Sequence, residues 1–142
     1  MKIYNMDDNI PLNQEWKILH HDHEKYEHYA LLIKLLAVVI SFFGVITTTN
    51  FLLTVGFVSI LWFQEGIWKT FQARTANRIL EIEQAINKND KLTAFNFYIN
   101  WEKTRPGAVK LVIEYIKNAL RPTVLFIYLA LFFLLFISRI IS

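Results

Sequence analysis

The stretch ALLIKLLAVVISFFGVITTTNFLLTVGFVSILWFQEGIW, residues 30–68, decides the fold of this chain. It contains two apolar runs, 30–47 and 51–68, and each run carries a single charged residue, Lys34 in the first and Glu65 in the second. A helix needs about 20 apolar residues to cross the hydrocarbon core of a bilayer, so each run suffices when its flanking residues contribute. Because only a short uncharged turn separates the runs, we expect a tight hairpin of two antiparallel membrane helices.

A third apolar run, TVLFIYLALFFLLFIS (123–138), predicts one more membrane helix. Hydrophobic residues make up 54% of the 142 residues and charged residues only 19%, which leaves too little polar surface for a soluble bundle to cover three such runs. We therefore predict an all-α integral membrane protein with three transmembrane helices and amphipathic cytoplasmic helices. The predicted segments are an N-terminal cytoplasmic helix (1–29), the transmembrane hairpin (30–68), a cytoplasmic helical region (69–121) and the third transmembrane helix (122–142).

Charge is distributed unevenly along the chain, and this predicts its orientation. Residues 1–29 contain three Lys and six acidic residues, whereas residues 69–121 contain ten Lys or Arg and five acidic residues. The excess of basic residues in cytoplasmic loops then places both segments in the cytoplasm and the C-terminus outside. The arginines expected to contact lipid headgroups are Arg74, Arg78, Arg121 and Arg139.

The two charges of the hairpin lie at one predicted depth. Lys34 precedes Thr49 by 15 residues and Glu65 follows it by 16. A rise of ~1.5 Å per residue therefore puts both about 22–24 Å from the turn. Three interpretations remain open: independent contact of each charge with the interface, an ion pair that fixes the hairpin register, or a ring of charges in an oligomeric pore.

Small and polar residues recur on one face of the first membrane helix at spacings of 3 and 4. With their expected counterparts on the second helix, they form a helix-packing or pore-facing seam: Ala37, Ser41, Gly44, Thr48, Gly56 and Ser59. Small residues let membrane helices approach closely, either inside the hairpin or between copies around a water-lined path. The third helix has only Ala130 as a small interior residue, so we expect it to face lipid or to lie at the periphery.

All four histidines fall in HHDHEKYEH, residues 20–28. On a helix, a candidate metal or pH-sensing set shares one face: His20, His23, Glu24 and Glu27. A single straight helix presents too few ligands to close a metal site, and the spacing does not match HExxH. We therefore favour a solvated helix end with i,i+4 pairs, and proton sensing and metal binding are the alternatives.

Two further segments of the cytoplasmic region have amphipathic character. Residues 91–103 combine aromatic and polar side chains, as in a helix that lies in the membrane interface or packs on neighbouring helices. Residues 108–122 place Val and Ile on one side and charged residues on the other. These faces need partners, which can be one another, further copies of the chain, or another protein.

Several classes of function are not supported by any motif. There is no glycine-rich phosphate loop, no nucleophile motif and no cysteine, so we predict that the chain is not an enzyme and has no cofactor. The expected partners are the lipid bilayer, further copies in a homo-oligomer and, as an alternative, a soluble cytoplasmic protein. Nucleic acid is not expected, because lipid is the nearer partner for basic residues beside membrane helices.

The segments KYEHYALLIKLLAVVISFFGVI and RTANRILEIEQAI carry a resemblance at the level of helix order. An N-terminal helix, a tight two-helix hairpin and a trailing helix, over about residues 14–88, resemble the SLATT-type small membrane effectors of bacterial conflict systems. The resemblance implies a bacterial inner (cytoplasmic) membrane and oligomers that breach it during phage defence, and it implies no catalytic residues. The third membrane helix departs from that two-helix pattern.

Three hypotheses for function follow. The first is a self-assembling, pore-forming or membrane-perturbing effector, lined or locked by Lys34, Ser41, Thr48 and Glu65. The second is a membrane-anchored interaction subunit that recruits a soluble partner through its cytoplasmic helices. The third is an ion or proton channel or transporter that uses the hairpin charges and the histidines, although transporters usually have more membrane helices and internal repeats.

Overall fold

The computed structural model describes residues 10–47, 50–88, 94–104 and 106–141. Within these ranges the chain forms five α-helices and no strand. The helices are α1 (Ile10–Ile46), α2 (Phe51–Lys88), α3 (Phe97–Thr104), α4 (Ala108–Ala119) and α5 (Pro122–Ile141). Three of them, α1, α2 and α5, are long and apolar enough to cross a membrane, which confirms the prediction of an all-α membrane protein.

The two helices of the hairpin continue far beyond their apolar runs. α1 joins the polar segment 10–29 to the first apolar run, and α2 joins the second run to residues 69–88 without a break. At ~1.5 Å per residue, each helix is about 55 Å long. We call residues 10–29, 69–88 and α3 the distal half, because they lie beyond the apolar runs.

Asn50 begins the second helix of the hairpin. Its side-chain Oδ1 accepts a hydrogen bond from the backbone N–H of Leu52 at 3.1 Å, as an N-cap residue does. On the other side of the turn, the Thr47 hydroxyl donates to the carbonyl of Phe43 at 2.7 Å. The Asn50 contact satisfies a backbone N–H that the start of α2 would otherwise leave without a partner, whereas the Phe43 carbonyl also accepts from the backbone N–H of Thr47 at 2.9 Å.

A short break separates α4 from α5. Pro122 occupies the first position of α5, where its missing N–H costs no helical hydrogen bond. The carbonyl of Arg121 accepts from the N–H groups of Val124 and Leu125 at 2.9 and 2.8 Å. The chain therefore changes direction at the point where the third membrane helix begins. α3 is shorter than the predicted helix over 91–103, and residues 91–93 lie outside the described ranges.

Two clusters of buried side chains hold the helices together. The membrane cluster contains Ala37, Val58, Val124, Tyr128 and Leu135, and the distal cluster contains Leu12, Leu19, Ile79 and Ile82. In the apolar windows of the three long helices only 17–22% of residues are buried inside the chain. Most apolar side chains in these windows therefore face outward, where lipid is the solvent that suits them.

The third helix was expected to face lipid or to lie at the periphery, and only 17% of its apolar window is buried inside the chain. The membrane cluster shows that this buried part packs on the hairpin. Val124 and Tyr128 of α5 are fully buried against the hairpin, and α5 contacts both α1 and α2. The physical reason is that Tyr128 supplies a hydroxyl to a charged group inside the hairpin, which an apolar helix face alone would not reveal.

Candidate functional site

The centre of the membrane half is a polar cluster of three side chains from three helices. Lys34 of α1 brings its Nζ to 3.0 Å from Oε1 of Glu65 on α2. The hydroxyl of Tyr128 on α5 donates to the other carboxylate oxygen, Oε2, at 3.0 Å. The Glu65 side chain is 0% exposed, whereas the Lys34 side chain keeps 17% of its surface exposed. Oε2 is thus hydrogen-bonded, whereas Oε1 lies at ion-pair distance from Lys34 and has no hydrogen-bond partner among the described residues. The pair has no net charge.

Trp62 closes the cluster on one side. Its indole N–H donates to the backbone carbonyl of Ala119 at 2.9 Å, which ties α2 to the end of α4. Its ring also packs beside the rings of Tyr128 and Phe132, with centroids 6.4 and 6.5 Å apart. This indole therefore connects the polar cluster, α4 and α5.

Part of the predicted seam lies between α1 and α2. Ala37 and Ser41 are buried, and the Ser41 hydroxyl donates to the carbonyl of Ala37 at 2.8 Å. A Cβ at Gly44 would lie only 2.6 Å from Cγ2 of Thr54, so the absence of a side chain permits the close approach of the two helices there. In this arrangement the seam packs the hairpin of one chain.

Two predicted members of the seam have other surroundings. Gly56 faces outward, and a Cβ placed on it would meet nothing within 4 Å, so the expectation that it forms the matching notch is wrong. Thr54, two residues earlier and buried, takes that place because the rotation of α2 about its axis turns this residue toward α1. Ser59 is half-buried and donates to the carbonyl of Val55, and Thr48 lies outside the described residues.

A second charged cluster joins α1 and α2 in the distal half. Arg78 donates to Glu15 through Nε at 2.9 Å and Nη2 at 3.4 Å, and its Nη1 donates to Glu81 at 3.2 Å. Oε2 of Glu15 also accepts from the backbone N–H of Phe95 at 2.7 Å, where the backbone has a left-handed φ of 59°. Burial disfavours the charged guanidinium, but the two carboxylates outweigh this cost and raise the pKa of Arg78.

These contacts correct the predicted lipid-headgroup role of Arg78, whose side chain is only 3% exposed and is paired inside the protein. Arg74 is similarly engaged: its Nη2 donates to Glu114 of α4 at 2.8 Å, and its guanidinium lies 5.5 Å from the centre of the Trp101 ring. Arg121 and Arg139 are exposed, as lipid contact requires. The headgroup prediction failed for Arg74 and Arg78 because acidic residues distant in sequence, Glu114 and Glu15, bind these arginines inside the protein.

The histidine set is only partly assembled. His20 stacks on Trp16 and lies 3.5 Å from Glu24, whereas His23 turns toward α2, with its Nε2 3.3 Å from Nε2 of Gln72. Glu27 is exposed. Among the described residues there is no group of three or more His, Asp or Glu side chains placed to hold a metal ion. The predicted set is therefore split: His20, Glu24 and Glu27 are exposed to solvent, and His23 contacts α2.

α4 packs on α2 through its small and polar side, not through the apolar face for which a neighbouring helix was one of the expected partners. A Cβ at Gly66 would lie 2.7 Å from the Cβ of Ala119, so the two backbones approach closely. One turn after Gly66 on α2, the Thr70 hydroxyl accepts a hydrogen bond from the Asn118 side-chain amide at 2.7 Å, and both residues are buried. The sequence feature that could have indicated this contact is Gly66 followed four residues later by Thr70, since small residues on one helix face permit close helix packing.

No family model, curated protein or solved structure matches this chain. What the described geometry offers chemically is a neutralised ion pair at membrane level, a second one in the distal half, and exposed helical surfaces.

Proposed function

We propose that this chain is a non-enzymatic, membrane-anchored interaction subunit whose distal half extends into the cytoplasm and recruits a soluble protein. The observation that carries the proposal is the enclosure of the membrane-level polar groups. Lys34 and Tyr128 contact the two carboxylate oxygens of Glu65 inside one chain, and Ser41 is buried in the same hairpin. Groups arranged in this way stabilise an anchor and do not face a water-filled path.

The outward surface of the membrane half supports the same function. Exposed positions along the three apolar runs carry large apolar side chains, as lipid-facing positions do, and they include Leu32, Leu35, Phe42, Leu52, Ile60 and Phe133. A pore built from several copies needs polar groups on a face that is shared between copies. In a self-assembling effector or an ion channel, the Lys34–Glu65 ion pair would therefore have to separate so that its polar groups could face the pore.

The distal half is a braced helix pair whose outer surface is accessible to a partner protein. Residues 69–88 of α2 extend about 30 Å beyond the apolar run and are braced against α1 by Arg78 and Glu15. Two of its apolar side chains, Ile18 of α1 and Leu80 of α2, remain more than half exposed. A rigid, braced helix pair loses little conformational entropy when a partner binds to it.

Photo-crosslinking in cells tests the proposal. A benzophenone amino acid placed at Ile18 or Leu80 should give a discrete adduct with one soluble protein, and the same group at lipid-facing Phe42 should not.

Measurements of particle mass and ion flux distinguish the proposed anchor from a self-assembling pore. Purified wild-type chain in nanodiscs should have the mass of a monomer, and liposomes that contain it should retain their ions. A defined oligomer that conducts ions, and loses conductance on Ser41→Leu, would overturn the proposal in favour of a self-assembling effector of the kind that the SLATT-like helix order implies.

A further inference from the structure

The apolar face of α4 points away from the rest of the protein. Its five side chains are between 46% and 74% exposed, although the opposite side of the helix packs on α2. We define the α4 apolar face as Val109, Val112, Ile113, Ile116 and Leu120. The side chains turned inward include a polar and a small one, Asn118 and Ala119. Because the small and polar side of α4 faces the protein and the apolar side faces outward, a large apolar surface remains that must be shielded from water by another partner.

One row of α4 side chains contacts α2 on the membrane side. The Tyr115 and Phe63 rings meet edge to face with centroids 6.4 Å apart, and the carbonyl of Tyr115 and the Cβ of Ala119 both lie against Gly66. Phe63 and Gly66 belong to the apolar run 51–68 of α2. This membrane-side row is therefore level with the end of the hydrocarbon-spanning part of α2.

The neighbouring row of α4 contacts α2 farther from the membrane. Asn118 donates to Thr70, and Glu114 accepts from Arg74, so both contacts lie beyond the apolar run. Each row consists of two residues four apart, and the two rows meet α2 at clearly different levels. α4 consequently crosses α2 at the boundary of the apolar run, and its two flanks face the membrane and the distal half respectively.

The helical rotation of about 100° per residue then decides which way the apolar face points. Starting from Ala119 in the membrane-side row, the apolar face occupies rotations of about 20–120° and Lys117 and Lys110 follow at about 160–180°. The distal row, Glu114 and Asn118, comes next at about 220–260°. The apolar face therefore adjoins the membrane-side flank, and the two lysines adjoin the flank that faces the distal half.

We propose that α4 lies in the interfacial layer of the same bilayer that α1, α2 and α5 cross, with its apolar face inserted among the lipid chains. Leu120, the last residue of this face, is followed by Arg121 and then by Pro122, the first residue of the α5 span. The face is thus continuous with a lipid-facing helix, and Lys110 and Lys117 border it on the water side, as in interfacial amphipathic helices. A membrane covers such a face without any second protein, so the inference does not depend on the recruitment of a soluble partner.

Spin-label accessibility in nanodiscs tests the placement of α4 in the full chain. The protein contains no cysteine, so single-cysteine variants need no background changes. Labels at Ile113→Cys and Ile116→Cys report on the apolar face, matched labels at Lys110→Cys and Lys117→Cys report on its bordering, water-facing side, and Phe133→Cys is the lipid-facing reference. All five side chains are exposed, so the labels displace no buried group.

Labels at positions 113 and 116 should collide frequently with oxygen and rarely with a water-soluble nickel chelate, as at position 133. At positions 110 and 117 the ratio should shift toward the nickel chelate. Two outcomes would overturn the proposal: nickel access at positions 113 and 116, which means that the face lies in water, or protection from both reagents, which means that a second copy or another protein covers it. A helical circular dichroism spectrum of each labelled variant verifies that it is folded.

Discussion

Removing the positive charge from the membrane-level cluster should be more damaging than removing both of its charges. In Lys34→Met the Glu65 carboxylate, which is 0% exposed, keeps only the Tyr128 hydroxyl as the contact described above. Breaking a buried ion pair by removing one partner costs about 3–5 kcal/mol of folding free energy. In Lys34→Met/Glu65→Met the buried charge is absent, and the remaining cost is the unpaired Tyr128 hydroxyl, about 1–3 kcal/mol.

Unfolding in mixed micelles by titration with SDS, followed by circular dichroism, gives the free energies for this comparison. Arg139→Met is the matched control, since it removes an exposed charge at the other end of a membrane helix and should change stability by less than about 0.5 kcal/mol. The double variant should regain roughly 2 kcal/mol relative to Lys34→Met, the difference between the two costs. A double variant less stable than Lys34→Met, or a Lys34→Met protein as stable as Arg139→Met, would refute the assignment of a buried, mutually dependent pair.

Two further comparisons use the same unfolding measurement. Gly44→Val should destabilise the hairpin by about 1–3 kcal/mol through overpacking, whereas Gly56→Val, which adds side-chain atoms facing open space, should have almost no effect; equal losses would mean that the seam is not where the helices meet. Glu15→Gln should cost about 3 kcal/mol, because it leaves the buried guanidinium of Arg78 without its main counter-charge, and exposed Glu24→Gln should be close to neutral. If the two glutamine variants are equally stable, the distal ion pair does not brace the hairpin.

The sequence was sufficient for the features that depend on one helix at a time. Apolar length predicted α1, α2 and α5 as membrane helices, and the rise per residue placed Lys34 and Glu65 at one depth, where the structure brings them into contact. Such features follow from counting along an α-helix, because its pitch is constant.

Features that depend on the rotation and pairing of helices were not accessible in the same way. Thr54 rather than Gly56 meets Gly44, and this choice depends on how α2 is rotated relative to α1. The pairing of Arg78 with Glu15 connects residues 63 apart, and neither local pattern identifies the other. Both cases need the relative placement of two helices, for which a single sequence contains no direct signal.

The two buried ion pairs have a mechanical consequence for the hairpin. Lys34–Glu65 and Arg78–Glu15 both join α1 to α2, one at membrane level and one in the distal half. Sliding one helix past the other by a single turn, about 5.4 Å, would break both pairs at once, because neither contact can stretch that far. A force applied to the distal end should therefore move α1 and α2 as one rod, and the displacement would reach the lipid-facing end of the hairpin instead of being lost as slippage between the helices.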